Sequence, residues 1–181
     1  MICFPKPRES DLFTRHRRTA LAWAVEFCDT SMIRLLLEQD HISQSLPAAF
    51  ALLPFVRGGG DFSETMTLLL DRPDLDPNSR DADGKTVLIK CVQRLNRLGF
   101  PEYVKKLLDH PAIDVNAEGA CGCTPLIWAM LYRRESVIDA LLERPELDVT
   151  VRCSSCGFTP VLAAARRKHF NLIEKLMESS F

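Results

Sequence analysis

Apolar residues along this chain come in short bursts of helical spacing, separated by polar breaks and by proline-containing exits. One burst, Val137, Ile138, Leu141 and Leu142, places its members on one face of a helix. Its closing pair recurs. Leu-Leu followed by an acid stands at 36–38, 69–71, 107–109 and 141–143, and Leu-Met-Glu stands at 176–178, so the marks are 33, 38, 34 and 35 residues apart. A second mark, a Thr heading a small apolar run, recurs at Thr19, Thr86, Thr124 and Thr159. From that Thr to the first Leu of the pair the distance is 17 residues in three units and 21 in the unit that starts at Thr86. Two marks that drift together define a repeated unit.

Each unit reads as two helices and an exit. The Thr hydroxyl caps free N–H groups at a helix start, and Pro125 and Pro160 suit the first helical position, where no N–H bond is lost. Small residues (Ala24, Cys91, Ala129, Ala164) occupy one equivalent position, which lets this first helix approach its neighbours closely. The second helix carries the leucine pair. It ends through RPDLDPN, HPAIDVN or RPELDVT, extended runs that lead toward the next Gly-x-Thr. The expected fold is all-α: a solenoid of about five helix-turn-helix units at 14–43, 44–80, 81–118, 119–153 and 154–181, behind an N-terminal extension over 1–13. The second unit lacks Gly-x-Thr-Pro and holds Gly58-Gly59-Gly60, so it reads as degenerate with a lengthened loop. A smaller insertion falls around 96–101 in the third unit.

The run Gly122-Cys123-Thr124-Pro125-Leu126, the later Leu141-Leu142, and Asp114-Val115-Asn116 resemble the ankyrin repeat, over roughly residues 14 to 181. That resemblance implies two antiparallel helices and a finger-like loop per unit, and a role in binding other proteins through finger tips and the exposed side of the first helices. There are departures. The family's His after Thr-Pro-Leu is Ile127 here, with Ala22, Ile89 and Leu162 in the other units, and Pro111 or Pro145 replaces the Gly expected after the second helix.

Composition narrows the setting. With 46% hydrophobic and 26% charged residues and a net charge of -1, the chain has a globular make-up and no bulk attraction to nucleic acid or anionic membrane. The longest apolar run, LPAAFALLPFV, is too short and too broken by proline to span a bilayer. No secretory pattern opens the sequence, and seven cysteines, an odd number, suit a reducing compartment, cytoplasmic or nuclear.

The repeat register then nominates an interaction face. Arg15, Arg18 and Phe27 come from the first unit, Lys85 and Arg94 from the third, Leu131, Tyr132, Arg133 and Arg134 from the fourth, and Phe158, Arg166 and Arg167 from the fifth. These positions are basic although the chain is nearly neutral, which suits an acidic or mixed peptide or domain with apolar anchors. Surfaces need charge in any case, so the same pattern is open to a purely solvating reading. Trp23 and Trp128 precede the small residue of the first helix and are expected in the core.

CGC at 121–123 and CSSC at 153–156 place four thiols, Cys121, Cys123, Cys153 and Cys156, on two successive loops, with Cys121 stacked beside Cys156. Four thiolates can close a tetrahedral zinc site. Against this, one pair is C-x-C, and stacked units are on the order of 10 Å apart; reduced thiols are the alternative, and no other cofactor is implied. A redox pair at Cys153 and Cys156 lacks a helix start at the second Cys. Catalysis finds little support: the four histidines fall in different units, and no phosphate loop or EF-hand spacing is present. Two other readings stay open. The insertions of the second and third units, with Phe50, Leu53, Phe55 and Phe100, would form a small-molecule or catalytic site; or the chain is one section of a longer scaffold array.

Overall fold

The computed structural model describes residues 19–39, 62–81, 83–94 and 100–178. Among them are nine helices: α1 (Ala20–Phe27), α2 (Thr30–Leu37), α3 (Phe62–Leu70), α4 (Val87–Arg94), α5 (Phe100–Leu108), α6 (Pro125–Tyr132), α7 (Glu135–Leu142), α8 (Pro160–Arg166) and α9 (Phe170–Glu178). No strand is present in these residues beyond one antiparallel bridge, Arg80 to Thr86. The extension and residues 44–61 of the second unit, with Phe50, Leu53 and Phe55 among them, lie outside the described set.

Each first helix starts the same way. Thr19, Thr86, Thr124 and Thr159 accept a hydrogen bond at Oγ1 from the N–H three residues on, at 3.3, 3.4, 3.4 and 3.2 Å. Thr86 and Thr124 do so in full burial, where an unmade bond would be costly. Three of these helices stop in a shared way that no glycine signals. Cys28, Arg133 and Lys168 take the left-handed conformation at φ 52, 58 and 59°. The following N–H then reaches back to Ala24, Ala129 and Ala164 at 3.0 Å each, which is the Schellman closure.

Helices pair as the periodicity predicts. α1 packs on α2, α4 on α5, α6 on α7 and α8 on α9, while α4, α6 and α8 stack on one another and α5 stacks on α7. The small residues Cys91, Ala129 and Ala164 are buried in those first-helix contacts. Leu126 and Ile127 are wholly buried between α4 and α8, each contributing roughly 1.5–3 kcal/mol. Ile89 and Ile127 therefore substitute apolar packing for the hydrogen bonds of the family's histidine. On α8 the equivalent Val161 and Leu162 are exposed.

The second helices leave through a tight turn rather than a left-handed cap. Leu75, Ile113 and Leu147 each donate to the carbonyl three residues earlier, at 3.2, 3.1 and 3.1 Å, turning the chain through Pro73, Pro111 and Pro145. The next residues form a ladder across units. Asn78 Nδ2 donates to the Ala112 carbonyl at 2.7 Å, and its Oδ1 accepts from Asp114 N at 2.7 Å. Asn116 repeats both bonds with Glu146 and Asp148, at 2.7 and 2.8 Å.

Candidate interaction face and thiol cluster

Fingers connect each exit to the next first helix. They close at Asp81–Lys85, Gly119–Cys123 and Cys153–Phe158, where N–H to carbonyl bonds of 3.0, 3.0 and 2.8 Å join the two ends. The last finger holds one residue more. In the first of them Asp81 does local work: Oδ1 accepts from Asp83 N and Lys85 N, and Oδ2 pairs with Lys90 at 2.5 Å. Lys85 is half-buried and donates to Gln93 at 3.0 Å, so its ammonium is engaged along α4.

The basic residues come from the closing ends of α6 and α8, and Arg166 reaches back along α8 to Phe158 at the base of the last finger. Arg133, Arg166 and Arg167 are exposed, and Leu131, Tyr132, Arg134 and Phe158 are half-buried beside them. Tyr132 stacks on Trp128, and Arg134 lies over the Tyr132 ring at 5.7 Å to the centroid. Arg166 lies over Phe158 at 5.3 Å. Burial raises the Tyr132 phenol, and the charges of Arg134 and Arg167 pull it partly back. Burial likewise lowers the His169 imidazole; Arg133 and Arg167 lower it further and Glu135 opposes them. One tyrosine and one histidine thus sense arginines from both units, which places those arginines in one field. Arg94 closes α4, and its side chain lies outside the described set, as do Arg15, Arg18 and the side chain of Phe100.

Trp128 is buried as expected, but Trp23 is not. It is 41% exposed and stacked on the exposed Phe27 at 5.9 Å, whereas Trp128, stacked in the same way on Tyr132, is buried. The first unit therefore shows an aromatic surface that periodicity did not reveal.

The four thiols converge, and the expectation that unit spacing would hold them apart is corrected. Cys123 Sγ faces Cys153 Sγ at 2.8 Å and Cys156 Sγ at 3.7 Å. The sulfurs of Cys121, Cys123 and Cys153 all lie within 4.8 Å of one another. Helix axes keep their distance, but finger tips touch. Gly122 has φ +78°, and a Cβ there would overlap Ser154 Oγ and come within 2.7 Å of Ser154 N. The Cys121 carbonyl accepts from Ser155 N at 3.2 Å and from Cys153 Sγ at 3.0 Å. Cys123 is fully buried. Cys153 is buried too, while Cys121 and Cys156 are half-buried.

The environment differentiates these thiols. Burial drives Cys123 and Cys156 upward from the ordinary value. Burial also pushes Cys153 up, but hydrogen bonds from the Cys123 and Cys156 thiols and from the backbone N–H groups of Cys156 and Ser155 outweigh it, and the net direction is down. No helix start is involved. Elsewhere Cys91 is pushed up to about 12 by burial, against the opposing charge of Lys90, as an inert core thiol is.

Nearest-neighbour stacking of capped helix pairs, with fingers on one edge, defines a helical repeat array, a class that works through extended surfaces. A family model for ankyrin repeats, in three copies, matches residues 55–153. The chain belongs to the ankyrin-repeat family, whose members generally mediate protein–protein interaction and are typically non-catalytic. Comparison with curated proteins found no match. No helix among the described residues is long and apolar enough to cross a membrane.

Proposed function

We propose that this array, read as five units with a degenerate second, is a non-catalytic module that holds an acidic or mixed peptide or domain against its basic face. The observation that carries this reading is that Arg133, Arg134 and Arg167 act on Tyr132 and His169, with Glu135 the opposing acid, while Arg166 lies over Phe158 on the same helix pair. Half-buried Leu131, Tyr132 and Phe158 supply anchors among the charges. Rim cations of this kind speed encounter and select against basic partners, while aromatic anchors supply the residence time. Lys85 fits the same strip at its edge through its bond to Gln93.

The test uses a labelled Asp/Glu-rich peptide library with two variable apolar positions, titrated with the full chain. Reversing Arg133, Arg134, Arg166 and Arg167 to Glu should weaken binding on the order of tenfold or more at low salt, about 1.4 kcal/mol per decade. The slope of affinity against salt should flatten as well. Unchanged affinity in the quadruple variant, with its helical content intact, would place the interaction on another face.

A further inference from the structure

We infer that the tips of the last two fingers form a closed, structural zinc site with Cys121, Cys123, Cys153 and Cys156 as its four ligands. This inference is independent of the basic-face reading, since it rests on different residues.

Four observations converge. First, the chemistry is that of a zinc donor set: three sulfurs, those of Cys121, Cys123 and Cys153, in one group, and a fourth, that of Cys156, against Cys123. Second, the spacing suits a tetrahedron. A zinc–sulfur bond of about 2.3 Å implies ligand sulfurs about 3.7–3.8 Å apart. Cys123 and Cys156 stand at 3.7 Å, and the Cys121, Cys123 and Cys153 sulfurs lie within 4.8 Å of one another. The Cys123–Cys153 pair, at 2.8 Å, would open by about 1 Å around an ion. Third, the second shell is present. Cys156 N donates to Cys153 Sγ at 3.4 Å, the kind of backbone donor that offsets thiolate charge and orients a ligand. Fourth, the backbone is shaped for it. Gly122 permits contact between the tips, and the extra residue of the last finger brings Cys156 round to Cys123.

Two of the ligands are fully buried, so the site is closed and has no evident place for substrate. That marks a structural rather than a catalytic role. Its effect would be to staple the finger of the fourth unit to that of the fifth. Loading replaces four S–H bonds with four Zn–S bonds and releases the thiol protons to solvent, so affinity falls as pH falls.

The test uses the full, untagged chain purified under reducing conditions from zinc-supplemented medium. Elemental analysis should find about one zinc per chain. Exchange into Co²⁺ should give thiolate-to-metal charge-transfer absorption and the intense visible bands of tetrahedral cobalt. Cys121→Ser and Cys156→Ser change half-buried positions and should fold, as circular dichroism will verify, yet bind the metal on the order of 100-fold more weakly. Cys91→Ala removes a thiol outside the cluster and should keep the full load. Zinc below about half an equivalent per chain with no cobalt spectrum overturns the inference. So does retention of full metal by both Ser variants, its loss from Cys91→Ala, or a Cys123–Cys153 disulfide found by alkylation mass spectrometry in the reduced preparation.

Discussion

Replacing Asn116 by Ala removes one rung of the ladder that joins the exit of the third unit to that of the fourth. Two bonds are lost together: Nδ2 to the Glu146 carbonyl at 2.7 Å and Oδ1 from Asp148 N at 2.8 Å. A bond of that kind contributes about 1 kcal/mol net. Glu146 and Asp148 are exposed, so water can satisfy both groups after the change, and the larger penalty of a buried orphan does not apply. The expected loss is therefore about 2 kcal/mol, with no cavity contribution. Urea unfolding followed by fluorescence of the buried Trp128 should report it. With a slope of about 2 kcal/mol per M, the midpoint should fall by about 1 M without a change in slope. Asn78→Ala breaks the matching rung one unit earlier and should behave alike. If both variants unfold within about 0.2 M of the parent, the ladder merely decorates an interface that apolar packing already fixes.

Gly122→Ala and Gly157→Ala separate two reasons for glycine. Both positions have positive φ (78 and 71°), but only at Gly122 would the new methyl strike the neighbouring finger, while at Gly157 the nearest atom is the end of Arg152 at 3.4 Å. The Gly157 variant should lose about 1–2 kcal/mol and the Gly122 variant clearly more, in thermal or urea unfolding. Equal losses would mean that finger contact contributes nothing. His169 should give a pH signature. Its folded value is depressed by burial, so its contribution to stability is present above the unfolded value of about 6.5 and is lost as pH falls through the folded one. Unfolding midpoints measured from pH 8 to 5 should drop in the parent and drop less in His169→Gln; identical profiles would dismiss the effect.

Much of the scaffold was legible because the signals are local. A Thr cap and proline exits act over three or four residues, and each was found where the period put it. The helix stops were not legible, since Cys28, Arg133 and Lys168 hold left-handed conformations for which glycine is the usual sign. Trp23 and Trp128 occupy one register position and stack alike on the aromatic four residues on, yet differ in burial; α6 has a first helix packed on either side, and such packing is not written in the spacing. The thiol cluster was half legible. Its residues were apparent, but the distance between units is set by helix packing, whereas the distance between tips is set by the Gly122 contact with Ser154. The asparagine rungs stood in plain view in DPN and DVN, and only the bonds they make across units reveal their purpose.

The location of the thiols has a physical logic in what the neighbouring junction lacks. Arg80 reaches across its finger to the Glu118 carbonyl and so links the third finger to the fourth. One unit later the equivalent residue is Glu118 itself, an acceptor that cannot repeat that bond. The stems of the fourth and fifth fingers are joined by the Asn116 rung, and their tips meet through Cys121, Cys123, Cys153 and Cys156 and the two bonds to the Cys121 carbonyl. The same two units carry Arg133, Arg134, Arg166 and Arg167, whose backbones stand at the far end of α6 and α8, roughly 12 Å away along helices of this length, with the Arg166 guanidinium reaching back over Phe158. Short, tightly packed helices transmit rotation as rigid rods. A tip that is stapled by an ion would fix the relative angle of α6 and α8, and with it the spacing of the arginines that the proposed partner has to match.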